Sequence, residues 1–173
     1  MKTALITGAS QGIGAAIADK LNDKKIKVIL VSRSKSKLKS FQKNLKFTKN
    51  SLIISKDLRS LSACNSIAKK IKKLDYLINV AGATKGGKFL NLSDNIWEDG
   101  FNLKFKAAVR LSRAFWPALK KSKGKFIISR VFRIHFTIWS YWTSSYFRNR
   151  ARAKASFRYK YTITIYPSFS SYG

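Results

Sequence analysis

The chain has 173 residues, enough for one domain with one sizeable hydrophobic core. A single cysteine, Cys64, excludes an internal disulfide framework and fits a reducing cytosol, and no apolar run approaches the roughly 20 residues that span a bilayer. Thirty-six Lys and Arg face seven Asp and Glu, a net charge of +29, which attracts polyanions without choosing among nucleic acid, acidic membranes and phosphorylated cofactors.

Met1-Lys2 leads directly into an apolar strand, Thr3 to Thr7, with no cleavage-site pattern, so a cytoplasmic protein is expected. Ile13, Ile17 and Leu21 then recur at helical spacing. Val28 to Val31 is a second strand, followed by a Lys-rich helix through Leu38 and Leu45. Leu52 to Ile54 is a third strand, and the next helix, Leu61 to Ile71, holds Cys64 as an inert small side chain. Tyr76 to Val80 is a fourth strand, Ala107, Leu111, Phe115 and Leu119 mark a long helix, and Phe126 to Ile128 is a fifth strand. Strands alternating with helices predict a parallel sheet with right-handed crossovers.

Composition changes after Ile128. Residues 129–173 contain no Asp or Glu, carry 6 Arg against 2 Lys, and hold 13 of the 23 aromatics. Arg130 to Tyr146 crowds Phe132, Phe136, Trp139, Tyr141, Trp142 and Tyr146 with no sustained period. The expected organisation is therefore a domain over residues 1–128 and an irregular basic, aromatic-rich tail over 129–173. A frameshift near codon 129 or true divergence would each produce such a boundary. Up to residue 128 the basic residues are 24 Lys and 4 Arg, spread over surfaces such as Lys69, Lys70, Lys72 and Lys73, which reads as a solvated face. Nucleic-acid or polyanion binding through the tail is the alternative reading, resting on charge and stackable rings without a recognition motif.

The strongest local signal is Thr7-Gly8-Ala9-Ser10-Gln11-Gly12-Ile13-Gly14, directly after the first strand and opening the first helix. A turn this tight needs glycine, and it would place a pyrophosphate on free helix N–H groups. The segment resembles the Thr-Gly-x-x-x-Gly-x-Gly fingerprint of the short-chain dehydrogenase/reductase family. Asp57-Leu58 after the third strand is similar to that family's aspartate beside the adenine ring. Asn79-Val80-Ala81-Gly82 resembles its Asn-Asn-Ala-Gly, with Val80 replacing the second Asn.

The resemblance covers residues 1 to about 129. It implies an α/β fold, a Rossmann-type doubly wound parallel sheet of order 3-2-1-4-5; the change in composition predicts truncation after the fifth strand, with a tail that adds no regular sixth and seventh strands or adds them with poor packing. The resemblance also implies an NAD(P)(H)-dependent oxidoreductase, similar to the oxoacyl-carrier-protein reductases, acting on a carbonyl or alcohol substrate. No metal and no membrane are implied, and a homo-oligomer is left open. The expected cofactor residues are Thr7, Gly8, Ser10, Gln11, Gly12, Ile13, Gly14, Arg33, Asp57, Leu58, Asn79, Ala81 and Gly82. The second strand ends in Ser32-Arg33-Ser34, with no acid to bond a ribose 2′-hydroxyl. Arg33 suits a 2′-phosphate instead, so NADP(H) is expected over NAD(H).

The family's catalytic group is a Tyr with a Lys four residues on, a Ser and an Asn. No Tyr-x-x-x-Lys occurs in this sequence. Tyr146 and Arg150 are the nearest pair, but arginine cannot act as a titrating partner and the spacing from Ser129 is too long. Ser129 ends the fifth strand where the serine motif would begin. Asn102-Leu103-Lys104 resembles a common Asn-Leu-Lys, whereas counting from Trp97 and from Pro117 puts Lys104 in the asparagine column. Either Asn102 or Lys104 stands there, and the chain is expected to be catalytically compromised.

Overall fold

The computed structural model describes residues 1–83, 89–129 and 163–165. The strands are β1 (Thr3–Thr7), β2 (Lys27–Ser32), β3 (Ser51–Ser55), β4 (Tyr76–Asn79), β5 (Lys125–Ser129) and β6 (Ile163–Ile165). The helices are α1 (Gly12–Asp23), α2 (Lys35–Lys43), α3 (Leu61–Lys70), α4 (Asp94–Phe101) and α5 (Ala107–Ser122). The sheet runs β3-β2-β1-β4-β5-β6, and its first five strands pair in parallel. The parallel α/β sheet is the one expected from the alternating elements, and the order of its first five strands is the one the resemblance implied.

Alternation along the strands builds two cores. Leu5, Ile29, Val31 and Leu77 face α3 and α5, together with Cys64, Ile67, Leu111 and Phe115. Ala4, Ile6, Val28, Leu30 and Ile78 face the opposite way, against Ala18 and Leu38. Strands buried on both faces read as continuous apolar runs, which is why β1 and β2 were legible as strands.

Asp75 fixes the N-terminal ends of three strands. Its carboxylate accepts from the Thr3 N–H at 2.8 Å, its own N–H donates to the Thr3 carbonyl at 2.9 Å, and its carbonyl accepts from the Lys125 N–H at 2.8 Å. On the other side of the sheet, α1 presents Gly14, Ala18 and Asn22, at i, i+4 and i+8, as its buried strip. Asn22 is fully buried and donates to the Phe47 carbonyl while accepting from the Phe47 N–H.

Two departures from the sequence reading stand out. The second helix ends at Lys43, so Leu45 is a core residue of the following loop. The long helix begins before Ala107: α4 passes through a π-turn, Asn102–Lys106, into α5. The tail also supplies a short sixth strand, where either none of regular form or a poorly packed one was expected. It is three residues long and antiparallel to β5, with Ile127 opposite Ile165. Tyr146 and Arg150 lie outside the described residues.

Candidate functional site

The turn between β1 and α1 adopts the geometry its glycines were expected to provide. Gly8 and Gly12 have φ of +69° and +58°, a region in which L side chains are strained. A Cβ on Gly8 would meet the Ala81 backbone at 3.1 Å, and one on Gly14 would meet the Gly8 carbonyl oxygen at 2.3 Å. Gly8 thus lets β4's end approach, and Gly14 lets α1 lie directly on the turn. A Cβ on Gly12 would meet nothing within 4 Å, so open space faces that position.

Thr7 acts as a brace. Its buried hydroxyl accepts from the Val80 and Ala81 N–H groups, both at 3.0 Å, tying the turn to the chain leaving β4. Ser60 caps α3 and Ser34 caps α2 through side-chain oxygens, whereas α1 has Gln11 at its start and no side-chain cap bond. Gln11 instead accepts from the Lys37 ammonium at 3.3 Å. The first turn of α1, including Ile13, therefore keeps its dipole end and its N–H donors for another acceptor. Ser10 lies half-buried in the same turn.

Arg33 follows β2 directly and is exposed, its carbonyl held by the Ser55 hydroxyl at 2.7 Å. Asp57 follows β3 and is engaged within the chain: one carboxylate oxygen accepts from the Arg59 N–H at 3.0 Å and from its guanidinium at 3.3 Å. Arg59 also grips Asp99 of α4, with Nη2 donating to Oδ2 at 2.8 Å, and its carbonyl accepts from Arg110 of α5. The Asp99 hydrogen bond raises the Arg59 pKa, against a smaller opposing effect of burial. Sequence reading missed this clasp, although Asp57 and Arg59 at i and i+2 in a loop were a visible pair. Leu58 points into the core beside Cys64, leaving its backbone N–H as the group it could offer a nucleotide.

Asn79 is buried at the end of β4, and neither its amide nitrogen nor its amide oxygen has a partner among the described residues. Leaving buried polar groups unpaired costs about 1–3 kcal/mol each, which a bound group or ordered water relieves.

The geometry separates Asn102 from Lys104. Asn102 donates to Glu98 at 3.1 Å, in an exposed cluster with Lys106. Lys104 lies across Gly82, where a Cβ would come within 2.7 Å of its Cδ. Burial lowers the Lys104 pKa. Ser129 takes its place at the end of β5 by its backbone, opposite Ile163; its side chain is outside the described residues.

A family profile described as short chain dehydrogenase matches residues 2–145. The chain belongs to the short-chain dehydrogenase family. That match runs sixteen residues past Ser129, beyond the reach expected from the motifs alone. A 3-oxoacyl-(acyl-carrier-protein) reductase, FabG, of Rickettsia typhi is 35% identical over 127 residues, covering 73% of this chain and 52% of that protein. A metagenomic short-chain oxidoreductase solved in complex with NADP is 31% identical, with a TM-score of 0.66 over 71% of this chain and 58% of that one. An alcohol dehydrogenase from Thermococcus sibiricus, complexed with 5-hydroxy-NADP, is 26% identical, with a TM-score of 0.67 over 72% of this chain and 55% of that one. The chain spans about half the length of the curated relatives it matches. Its short-chain dehydrogenase fold and NAD(P)-dependent oxidoreductase family are thus established. Among the described residues, no helix is long and apolar enough to cross a membrane.

Proposed function

We propose that the chain binds NADP(H) in preference to NAD(H) and, as written, does not carry the complete apparatus for hydride transfer. The observation that carries this reading is the glycine turn. It is braced by Thr7, uncapped at α1 and open at Gly12, with Arg33 standing at the end of the neighbouring strand. The orphaned amide of Asn79 fits the same occupant.

In this reading the N–H groups from Ser10 to Ile13 hold the pyrophosphate, where charge and dipole act together. Arg33 bonds the 2′-phosphate, Asp57 and the Leu58 N–H border the adenine, and Ala81 and Gly82 allow close passage of the backbone. Bound NADPH would supply the hydride for reduction of a carbonyl substrate. A positioned acid must then protonate the substrate oxygen, a contribution of about 10²- to 10⁴-fold. The Tyr-x-x-x-Lys that serves this in the family is missing from all 173 residues. A cytoplasmic location and a carbonyl or alcohol substrate follow the FabG relatives and belong to the proposal.

Fluorescence titration with both reduced cofactors tests the preference. NADPH should bind more tightly than NADH, and Arg33→Asp should narrow or reverse the difference. Equal affinities in the unmodified chain would remove Arg33 from its assigned role. With ketones and oxoacyl thioesters, NADPH oxidation should stay at background. Turnover of about 1 to 10³ per second would reveal another proton donor. Reading the gene in its other two frames past codon 129 should expose the missing Tyr-x-x-x-Lys if the tail arose by a frame change.

A further inference from the structure

Lys104 sits on the π-turn between α4 and α5, and its stem crosses the backbone at Gly82. Its Nζ would lie 3.3 Å from a Cβ on Gly82, so the lysine stem rests directly on the backbone there. Gly82 follows Ala81, whose backbone packs on Gly8. The ammonium therefore reaches the same end of the sheet as the glycine turn, but on the β4 side of it. Arg33 and Asp57 follow β2 and β3, on the opposite side of β1.

A dinucleotide laid across this switch point puts its pyrophosphate at the β1 turn and its two halves on either side. The β2–β3 side carries the groups for adenosine and its 2′-phosphate. The β4 side must accept the other half, and among the described residues Lys104 is a cation that reaches it. Among the described residues it makes no hydrogen bond and no ion pair. A half-buried ammonium without a partner is unfavourable, and burial accordingly lowers its pKa. A ribose with its adjoining phosphate would satisfy it.

We propose that Lys104 is a cofactor-binding residue for the nicotinamide-side ribose and phosphate of NADP(H), reaching that half across Gly82. This rests on the reading of the chain as an NADP(H) binder. Charge-assisted hydrogen bonds of this kind correspond to about tenfold or more in affinity.

The test compares two probes, NADPH and adenosine 2′,5′-bisphosphate, which lacks the nicotinamide half. They are titrated against the full chain and its Lys104→Met, Lys104→Gln and Lys104→Arg variants, each checked by thermal melting. Lys104→Met and Lys104→Gln should weaken NADPH at least tenfold and leave the bisphosphate within about twofold, while Lys104→Arg should keep most NADPH affinity. NADPH affinity unchanged in folded Lys104→Gln would overturn the assignment. So would equal weakening of both probes, which would place the effect on the adenosine half or on the fold. If the unmodified chain binds neither probe, the NADP(H) reading itself falls and takes the Lys104 role with it. If it binds both and only the Lys104 comparison fails, the NADP(H) reading stands without Lys104.

Discussion

Gly12 and Gly14 stand two residues apart and require glycine for unrelated reasons. At Gly12 the requirement is conformational, a φ of +58° with open space beyond. At Gly14 it is steric, since a Cβ would sit 2.3 Å from the Gly8 carbonyl oxygen. Gly12→Ala should therefore cost about 1 kcal/mol of stability but sharply weaken NADPH, because the new methyl projects into the space assigned to the pyrophosphate. Gly14→Ala should cost more, about 2–3 kcal/mol, by pushing α1 off the turn. Urea melts and NADPH titrations of both variants would check the dissociation; a Gly12→Ala chain that binds normally would count against the assigned cradle. The glycines were readable from sequence because spacing and strand-turn-helix context constrain them together. Lys104 was reachable only as one of two alternatives, since column counting gives a position along a helix and not the direction of a side chain. The grip of Arg59 on Asp99 was not readable, because its partner lies forty residues further on.

Among the elements, α3 was legible and α4 was not, and burial explains the difference. Ala63, Cys64 and Ile67 form a buried stripe on α3 behind a Ser60 cap, whereas α4 buries Gly100 alone and so lacks an apolar period. The π-turn after it inserts a residue into the helical count, which hides the continuity of α4 with α5. Cys64 makes the packing of α3 measurable. Burial pushes its thiol pKa up, and its Sγ contacts the Leu58 carbonyl at 3.5 Å. In the unfolded chain the thiol ionises near its ordinary value of about 8.5; in the folded chain burial shifts that ionisation to higher pH. Above that pH the unfolded state binds fewer protons, so this residue's contribution to stability falls as pH rises. The stability gap between the unmodified chain and Cys64→Ala should shrink between about pH 8 and 9.5 in urea melts. Iodoacetamide should label Cys64 slowly in the folded protein and rapidly in urea. Fast labelling of the folded chain would mean that α3 is not docked.

At the scale of the whole molecule, the doubly wound sheet was legible because its two faces are covered from both sides, and each strand carries that burden in its own residues. The far edge was not. No periodic signal in the sequence marks Ile163–Ile165 as a partner for β5, and antiparallel pairing there departs from the parallel rule of the first five strands. A largely apolar groove of about 440 Å³ lies beside that edge, lined by Val109, Ser112, Arg113, Trp116, Phe126 and Ile128. The sheet is thus finished differently at its two margins, and Asp75 shows how its middle responds. By bonding Thr3 and Lys125 it links strands that enter the chain more than a hundred residues apart. Amide exchange should consequently report one cooperative unit: β1, β4 and the start of β5 should open together and slowly, while β3, half-exposed at the margin, opens sooner. Asp75→Ala removes only the carboxylate bond to the Thr3 N–H and keeps both backbone bonds, so it should accelerate exchange at the start of β1 while leaving the Lys125 amide and the partly buried α2–β3 margin near their original rates. Uniform acceleration everywhere would show instead that the sheet has no such internal seam.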